Sequence, residues 1–152
     1  MDRYDKKILE LLQQDATLST AEIAGRIGLS TTPCWRRIQN LQRRGFIRKQ
    51  VALLDREAIN LGVDVFVSIR TSRHTAEWLA DFARAVASFP EVVEFYRMSG
   101  DIDYLMRVVV SDIRAYDAFY RRLIEKVDIR DVSSSFAMER IKYTTALPLD
   151  QA

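Results

Sequence analysis

The segment from Ser30 to Arg43 carries the side chains whose types and spacing are best suited to chemistry. At about 100° per residue, Cys34, Ile38 and Leu41 share one face of a helix. The opposite face bears hydroxyl, amide and guanidinium groups: Thr32, Arg36, Gln39, Asn40 and Arg43. Such groups can hydrogen-bond to base edges in a major groove and to phosphates. The pattern therefore predicts a surface that recognises nucleic acid.

The distribution of charge supports this prediction. Residues 1–50 hold ten Lys or Arg and five acids, whereas the remainder holds 13 basic and 16 acidic residues. Between Ala16 and Gln50 there are seven cations and one acid, Glu22. A three-helix bundle with a merely solvated basic face is the plain alternative. The concentration of positive charge favours a polyanion-binding module joined to a domain with a different partner.

Three short helices are predicted to position this surface. Residues 5–14 show helical spacing of apolar residues, and Ser19 with Glu22 forms a capping-box pattern that opens a second helix. Gly28 ends that helix, Ser30 caps a third, and Pro33 is tolerated in its first turn. A short second helix followed by a tight turn is typical of a helix-turn-helix that binds double-stranded DNA.

The predicted DNA contacts lie on the third helix and just beyond it. Residues 46–54 read as an extended wing with two cations at its start. Arg37 is close to the apolar stripe and could pair internally instead, and Trp35 could pack on a neighbouring helix. The full predicted set is Ser30, Thr31, Thr32, Trp35, Arg36, Arg37, Gln39, Asn40, Arg43, Arg48 and Lys49.

The remaining residues alternate between strand and helix patterns. Strands are predicted at 63–69, 92–98, 104–110 and 132–142, and helices at 75–89 and 113–127. The order βαββαβ is typical of an α+β, ferredoxin-like domain with both helices on one face of an antiparallel sheet. The predicted organisation is a winged helix-turn-helix at 1–50, a linker at 51–62 and a ferredoxin-like domain at 63–152.

The strands are apolar on both faces, so a single chain would leave one sheet face bare. Pairing of two sheets in a homodimer would cover that face, and it would also supply two DNA-binding heads.

Other chemistry is disfavoured by what the sequence lacks. With one His (His74, expected in a surface loop) and one Cys (Cys34, expected in the core), there is no nucleophile–base pair. Asp101 and Asp103 offer too few ligands for a metal, and their plain interpretation is turn formation. We therefore expect no enzyme activity, no metal and no resident cofactor.

No apolar run could cross a bilayer and no signal peptide precedes the first helix, so a cytoplasmic location without membrane contact is expected.

The order of several short motifs resembles that of the Lrp/AsnC family of feast/famine regulators. The motifs are Asp5-Lys6-Lys7-Ile8-Leu9, Gly28-Leu29-Ser30, Arg37-Ile38-Gln39-Asn40-Leu41, Gly45-Phe46-Ile47, Gly100-Asp101-Ile102-Asp103-Tyr104-Leu105, Lys142-Tyr143-Thr144-Thr145 and Leu147-Pro148-Leu149. Together they span nearly the whole chain. One departure is Val127-Asp128-Ile129-Arg130, where many relatives have a Leu-Pro-Gly-Val turn.

The resemblance implies a transcriptional regulator whose second domain binds an amino acid or a related metabolite and drives assembly. It further implies dimers that associate into octamers, with the effector bound between dimers near the turn that joins the second and third strands. The implied effector residues are Gly100, Asp101, Asp103, Tyr104, Ser135 and Phe136. One rival interpretation is an enzyme on a ferredoxin-like scaffold with the helical head as an interaction module, and the absence of a nucleophile–base pair argues against it. A second, a regulator without a ligand whose second domain only oligomerises, stays open.

Overall fold

The chain forms two compact units, each described by itself. The computed structural model describes residues 1–71, 75–127, 129 and 131–150. The first unit comprises Met1–Leu53 and the tail that begins at Ile141, and the second comprises Leu54–Arg140. His74 and two residues of the expected departure, Asp128 and Arg130, lie outside the described residues.

The helical unit is built from α1 (Arg3–Gln14), α2 (Thr20–Ile27) and α3 (Thr31–Arg43). Each helix turns its apolar stripe inward, as the spacing predicted. The buried side chains of the resulting core are Ile8, Leu9, Ile23, Ala24, Ile27, Cys34, Ile38 and Leu41.

The helix ends follow the predicted signals with one difference. Ser19 and Glu22 form the capping box, with the Ser19 hydroxyl accepting from the Glu22 N–H at 3.3 Å and a Glu22 carboxylate oxygen accepting from the Ser19 N–H at 2.8 Å. Gly28 ends α2 at φ +72°. Ser30 is the N-cap residue of α3, but its side chain makes no capping hydrogen bond. The third helical residue is Pro33, which has no N–H to donate.

Arg37 fixes α3 to the start of α1. One guanidinium nitrogen lies 2.7 Å from an Asp2 carboxylate oxygen and 2.7 Å from an Asp5 carboxylate oxygen. Asp2 and Asp5 also form the capping box that begins α1. The Asp5 side chain is only 13 % exposed, so its negative charge is balanced within the unit.

The tail from Ile141 returns to the helical unit, which differs from the predicted domain boundary. The Gln13 side-chain amide donates to the Leu147 carbonyl at 3.2 Å and accepts from the Leu147 N–H at 2.6 Å. Leu149 packs against the helical core. The tail carries no strand or helix pattern, so its neighbours could not be deduced from spacing.

The predicted wing strand is not formed. Residues 48–53, all of which are described, are irregular and exposed. Gly45, at φ +78°, ends α3, and the chain leaves it without strand pairing to any described residue. A lone extended segment gains no ladder hydrogen bonds, which is why an apolar alternation alone does not make a strand.

The second unit is a four-stranded antiparallel sheet with two helices. Its elements are β1 (Val63–Arg70), α4 (Ala76–Ala87), β2 (Val92–Arg97), β3 (Tyr104–Val110), α5 (Ile113–Lys126) and β4 (Asp131–Phe136). The strand order is β2-β3-β1-β4. This arrangement confirms the ferredoxin-like prediction, although the last strand ends at Phe136 and not at Lys142.

One face of the sheet forms the core of this unit. Val65, Val67 and Ile69 on β1 are fully buried, together with residues of both helices such as Phe82 and Phe119. Both helices therefore pack on the same face of the sheet. Alternate residues of β3 are buried with them, which gives the period of two expected for a half-buried strand.

The other sheet face is not wholly apolar, contrary to the sequence-based expectation. Asp64, 7 % exposed, lies between two guanidinium groups: one Arg56 nitrogen is 2.5 Å from one carboxylate oxygen and the Arg107 Nε is 2.8 Å from the other. Arg107 also contacts Glu94 at 2.6 Å, and Arg56 donates to the Leu61 carbonyl at 2.6 and 3.0 Å. This charged network holds the turn that precedes β1 against the sheet.

Substitution Arg37→Gln should loosen α1 and α3. Removal of the cation leaves the partly buried Asp5 carboxylate unpaired, which we expect to cost about 1 kcal/mol of stability. Hydrogen–deuterium exchange of peptides from the two helices measures the change. The control is Arg36→Gln, whose wild-type side chain is exposed; equal protection in the two variants would contradict the structural role of Arg37.

Substitution Asp64→Asn should destabilise the second unit by about 3 kcal/mol, because two partly buried cations lose their shared partner. Urea unfolding can be followed by Trp78 emission in a Trp35→Phe background. Asp81→Asn is the control, since the side chains of Asp81 and Arg84 are 64 % and 77 % exposed.

The same comparison should depend on pH. Burial alone would raise the pKa of Asp64, but hydrogen bonds and charge from Arg56 and Arg107 outweigh it and lower that pKa below its usual value of 3.8. The ionised carboxylate therefore contributes stability above pH 3.8, and the contribution is lost as the pH falls through the lowered pKa. A difference between wild type and variant that is the same at neutral and at strongly acidic pH would refute the assignment.

Candidate nucleic-acid interface and ligand-binding turn

The exposed side of α3 brings together most of the residues predicted to contact DNA. The core takes Cys34, Ile38 and Leu41, which leaves the opposite side of the helix in solvent. The predicted contacts on α3 that are exposed are Thr31, Thr32, Trp35, Arg36, Gln39 and Arg43. The helix contains no acidic residue, so this side is uniformly positive or neutral. Hydrogen-bond donors and acceptors on such a surface are complementary to a nucleic-acid groove.

Asn40 is half-buried and acts on its neighbour Arg43. The Asn40 amide oxygen accepts from the Arg43 guanidinium at 3.2 Å. This contact uses one donor of the guanidinium, whose other N–H groups remain for a partner. Ser30 precedes the helix with its hydroxyl free of a capping role, and Arg48 and Lys49 lie on the exposed segment that follows α3.

Arg37 is the predicted contact that the structure separates from the others. Its guanidinium is occupied by Asp2 and Asp5, and it lies 5.4 Å from the centre of the Tyr4 ring. The pKa of Asp2 is lowered mainly by the Asp5 N–H, with a further contribution from Arg37. The internal alternative that its position beside the apolar stripe allowed is therefore the arrangement observed.

Arg44 is a cation that the residue-by-residue selection missed. It is exposed immediately after α3, and its guanidinium carbon lies 4.8 Å from the centre of the Phe46 ring. In the sequence, the Arg43-Arg44 pair at the end of the helix indicates this additional cation. It extends the positive surface beyond the last predicted contact on α3.

The turn between β2 and β3 is held tightly to the end of β1. Gly100 has φ +115°, a conformation that favours glycine. The Asp103 carboxylate accepts from the Thr71 N–H at 2.7 Å, and the Asp101 carbonyl accepts from the Arg70 Nε at 2.7 Å. The Asp103 side chain thus supports the turn, as the plain interpretation held, while the Asp101 side chain is exposed.

Tyr104 supports the turn from inside the core. Its side chain is 4 % exposed, and its ring stacks on Phe95 at a centroid distance of 5.7 Å. It also meets Phe82 edge to face at 5.2 Å. The enclosed Tyr104 ring therefore packs beneath the turn and is not exposed to solvent.

Ser135 and Phe136 lie away from the turn within one chain. They pair with Phe66 and Val65 on β1, whereas Tyr104 pairs with Ile69. Three residues of strand correspond to about 10 Å. The two also point to opposite sheet faces, and the Phe136 ring packs edge to face on Tyr116 at 5.2 Å. Two residues that the sequence did not single out lie near the turn: Arg70 at the end of β1 and Asp131 at the start of β4. Their closest nitrogen–oxygen distance is 3.8 Å.

Other chemistry finds little support in the described part of the chain. Burial raises the pKa of the Cys34 thiol, which disfavours the reactive thiolate. No group of three His, Cys, Asp or Glu side chains among the described residues could hold a metal ion. None of the helices described here is long and apolar enough to cross a bilayer.

Comparison with known proteins places these features in a family. Residues 1–48 match the family model described as winged helix-turn-helix DNA-binding, and residues 64–147 match the Lrp/AsnC ligand binding domain. The chain is 51 % identical to the DNA-binding transcriptional activator DecR of Escherichia coli (strain K12), over 99 % of both chains.

Two solved structures are similar over nearly the whole length. An AsnC family transcriptional regulator from Agrobacterium tumefaciens shares 66 % identity with a TM-score of 0.97, covering 99 % of each chain. A transcriptional regulator from Neisseria meningitidis, solved as a complex with L-Met, shares 36 % identity with a TM-score of 0.94, covering 99 % of this chain and 98 % of that one. The chain belongs to the Lrp/AsnC family of DNA-binding transcriptional regulators.

Proposed function

We propose that this regulator grips duplex DNA through the exposed side of α3 and that an amino acid modulates its assembly or its DNA binding. The observation that carries the DNA-binding surface is the division of α3: an apolar face buried in the core and an acid-free face of Thr, Arg and Gln side chains in solvent. DNA-binding function is assigned to residues 1–50, the linker to 51–62 and sensing to 63–140. A DNA-binding protein must share a compartment with the DNA, and this requirement supports the expected cytoplasmic location.

The contacts divide into two groups. Thr31, Thr32, Arg36 and Gln39 are assigned to base edges, because they lie between the start and the third turn of α3. Ser30, Arg43, Arg48 and Lys49 are assigned to phosphates, with Asn40 orienting Arg43. Arg37 is assigned a positioning role instead of a direct contact, since its guanidinium is already bound by two carboxylates.

Assembly into a homodimer, and of dimers into an octamer, is the second part of the proposal. The open sheet face has exposed apolar side chains around its charged centre, Phe66 (39 %) and Tyr96 (51 %) among them. A second copy would cover them, and a two-fold pair would present two α3 helices to half-sites about one helical turn apart.

The amino-acid effector is the third part. Support comes from the ligand-binding family model over residues 64–147 and from the L-Met complex of the Neisseria meningitidis relative. Gly100 leaves open space where a Cβ would stand, so a small ligand can approach the backbone closely. The exposed Asp101 carboxylate is suited to an ammonium group. Within one chain, Ser135 and Phe136 lie about 10 Å along β1 from this turn, so they are assigned only as more distant contributors.

Arg43→Gln and Arg48→Gln should each weaken DNA binding and reduce its salt dependence, because both residues are assigned to phosphates. Each lost phosphate contact lowers the slope of log K against log salt by about 1. The measurement is fluorescence anisotropy with a duplex selected by the wild-type protein from a random-sequence library, at several salt concentrations. Arg121→Gln on α5 is the matched control, as its side chain is 73 % exposed in the other unit. An unchanged slope for both the Arg43 and the Arg48 variant would argue against the proposed surface.

Light-scattering mass should change when one of a panel of amino acids is added, because a ligand that binds one assembly state better shifts the equilibrium toward it. Gly100→Ala should weaken that response, since φ +115° strains any residue with a Cβ. Gly25→Ala, at a helical glycine with open space around it, is the control. A fixed oligomer indifferent to every amino acid would leave a ligand-free regulator, and a monomer would contradict the proposed dimer.

A further inference from the structure

Trp35 is the large apolar side chain of α3 that the core leaves out. Cys34, Ile38 and Leu41 are buried, whereas Trp35 is 53 % exposed. Exposure of so much indole surface forgoes part of the 1.5–3 kcal/mol or so that burial of a large apolar side chain contributes. The sequence allowed packing of Trp35 on a neighbouring helix, and the exposed fraction shows that such packing is at most partial.

The surroundings of Trp35 point to a nucleic-acid partner. Thr31 and Gln39 lie one helical turn to either side of it, and Arg36 follows it directly; all three are exposed. Within the described part of the chain, the Trp35 ring forms no stacking or cation–π contact. The indole thus stands in an acid-free, hydrogen-bonding surface with strong positive charge, near the start of the helix that would enter the groove.

The major groove offers an indole one distinctive apolar group. Each base pair presents hydrogen-bond donors and acceptors there, and only thymine adds a C5-methyl. An apolar ring held between Thr31 and Gln39 would bury that methyl while its polar neighbours bond to adjacent base edges. We propose that Trp35 is a specificity-determining residue that contacts one or more thymine methyl groups in the operator. This inference rests on the proposed DNA binding by α3.

Replacement of thymine by uracil tests the contact directly. Uracil pairs as thymine does and lacks only the methyl group. The probe is a selected duplex of about 30 base pairs, long enough for two half-sites one helical turn apart, with single thymines replaced in turn. Wild-type protein should bind roughly fourfold more weakly at one or two positions per half-site, as expected for one unburied methyl. Trp35→Ala should bind both forms of the duplex equally at those positions.

Two further variants keep the test interpretable. Trp35→Phe retains an aromatic ring and should keep part of the preference for thymine. In Trp78→Phe, Trp35 is the remaining tryptophan of the two in the chain, so its emission should change when the duplex binds. Circular dichroism confirms that each variant is folded.

The outcomes separate the inference from the proposal beneath it. If wild-type protein binds the duplex but responds to no uracil, or if Trp35→Ala responds as wild type does, the contact is overturned while DNA binding stands. An unchanged Trp35 emission on binding would overturn it as well, and would point to a partner other than DNA for the ring. Failure to bind any duplex would overturn the proposed function itself.

Discussion

The contact of Arg37 with the two carboxylates that begin α1 helps to fix the orientation of α3, and the proposed DNA-binding surface depends on that orientation. Burial of Cys34, Ile38 and Leu41 supplies the larger energy, at 1.5–3 kcal/mol or so for a large side chain. Hydrophobic burial is non-directional, so an apolar stripe specifies the rotation of a helix about its axis less sharply than an ion pair does and leaves it some freedom. A guanidinium that must meet Asp2 and Asp5 at once at 2.7 Å removes that freedom.

The consequence is a division of labour among neighbouring arginines. Arg36 and Arg37 are adjacent in sequence and identical in chemistry, yet one faces solvent and the other lies over α1. Successive residues of a helix point about 100° apart, so Arg36 and Arg37 face different directions. The Asp2 and Asp5 carboxylates fix Arg37 as the one that faces α1. A surface that reads DNA needs its donors held in place before the partner arrives, and the internal ion pair supplies that rigidity without using the outer donors.

The second unit uses the same device on its sheet. Asp64 on β1 binds both Arg56 and Arg107, and Arg107 on β3 also binds Glu94 on the neighbouring strand β2. A partner that covers this face must leave these groups paired, because removal of one member of a buried ion pair costs more than the pair contributes. The charged centre therefore restricts how a second sheet can lie on the first.

Local patterns predicted what local physics determines. The capping box of Ser19 and Glu22, the left-handed Gly28 and the inward stripe of each helix are fixed within one or two turns, so spacing revealed them. The partners of Arg37 lie 32 and 35 residues away, and the anchor of Leu147 lies 134 residues away, so no window of sequence contains both members. The separation of Ser135 from the Gly100 turn is a matter of strand register, which alternation alone does not specify.

The register also gives β1 a special position in the second unit. At one end Arg70 and the following Thr71 bind the turn that contains Asp101 and Asp103. At the other end Asp64 binds Arg56 in the turn that precedes the strand. Six residues of strand, about 20 Å, separate the two attachments. Because β1 is hydrogen-bonded to β3 on one side and to β4 on the other, the strand joins these two attachments within one sheet.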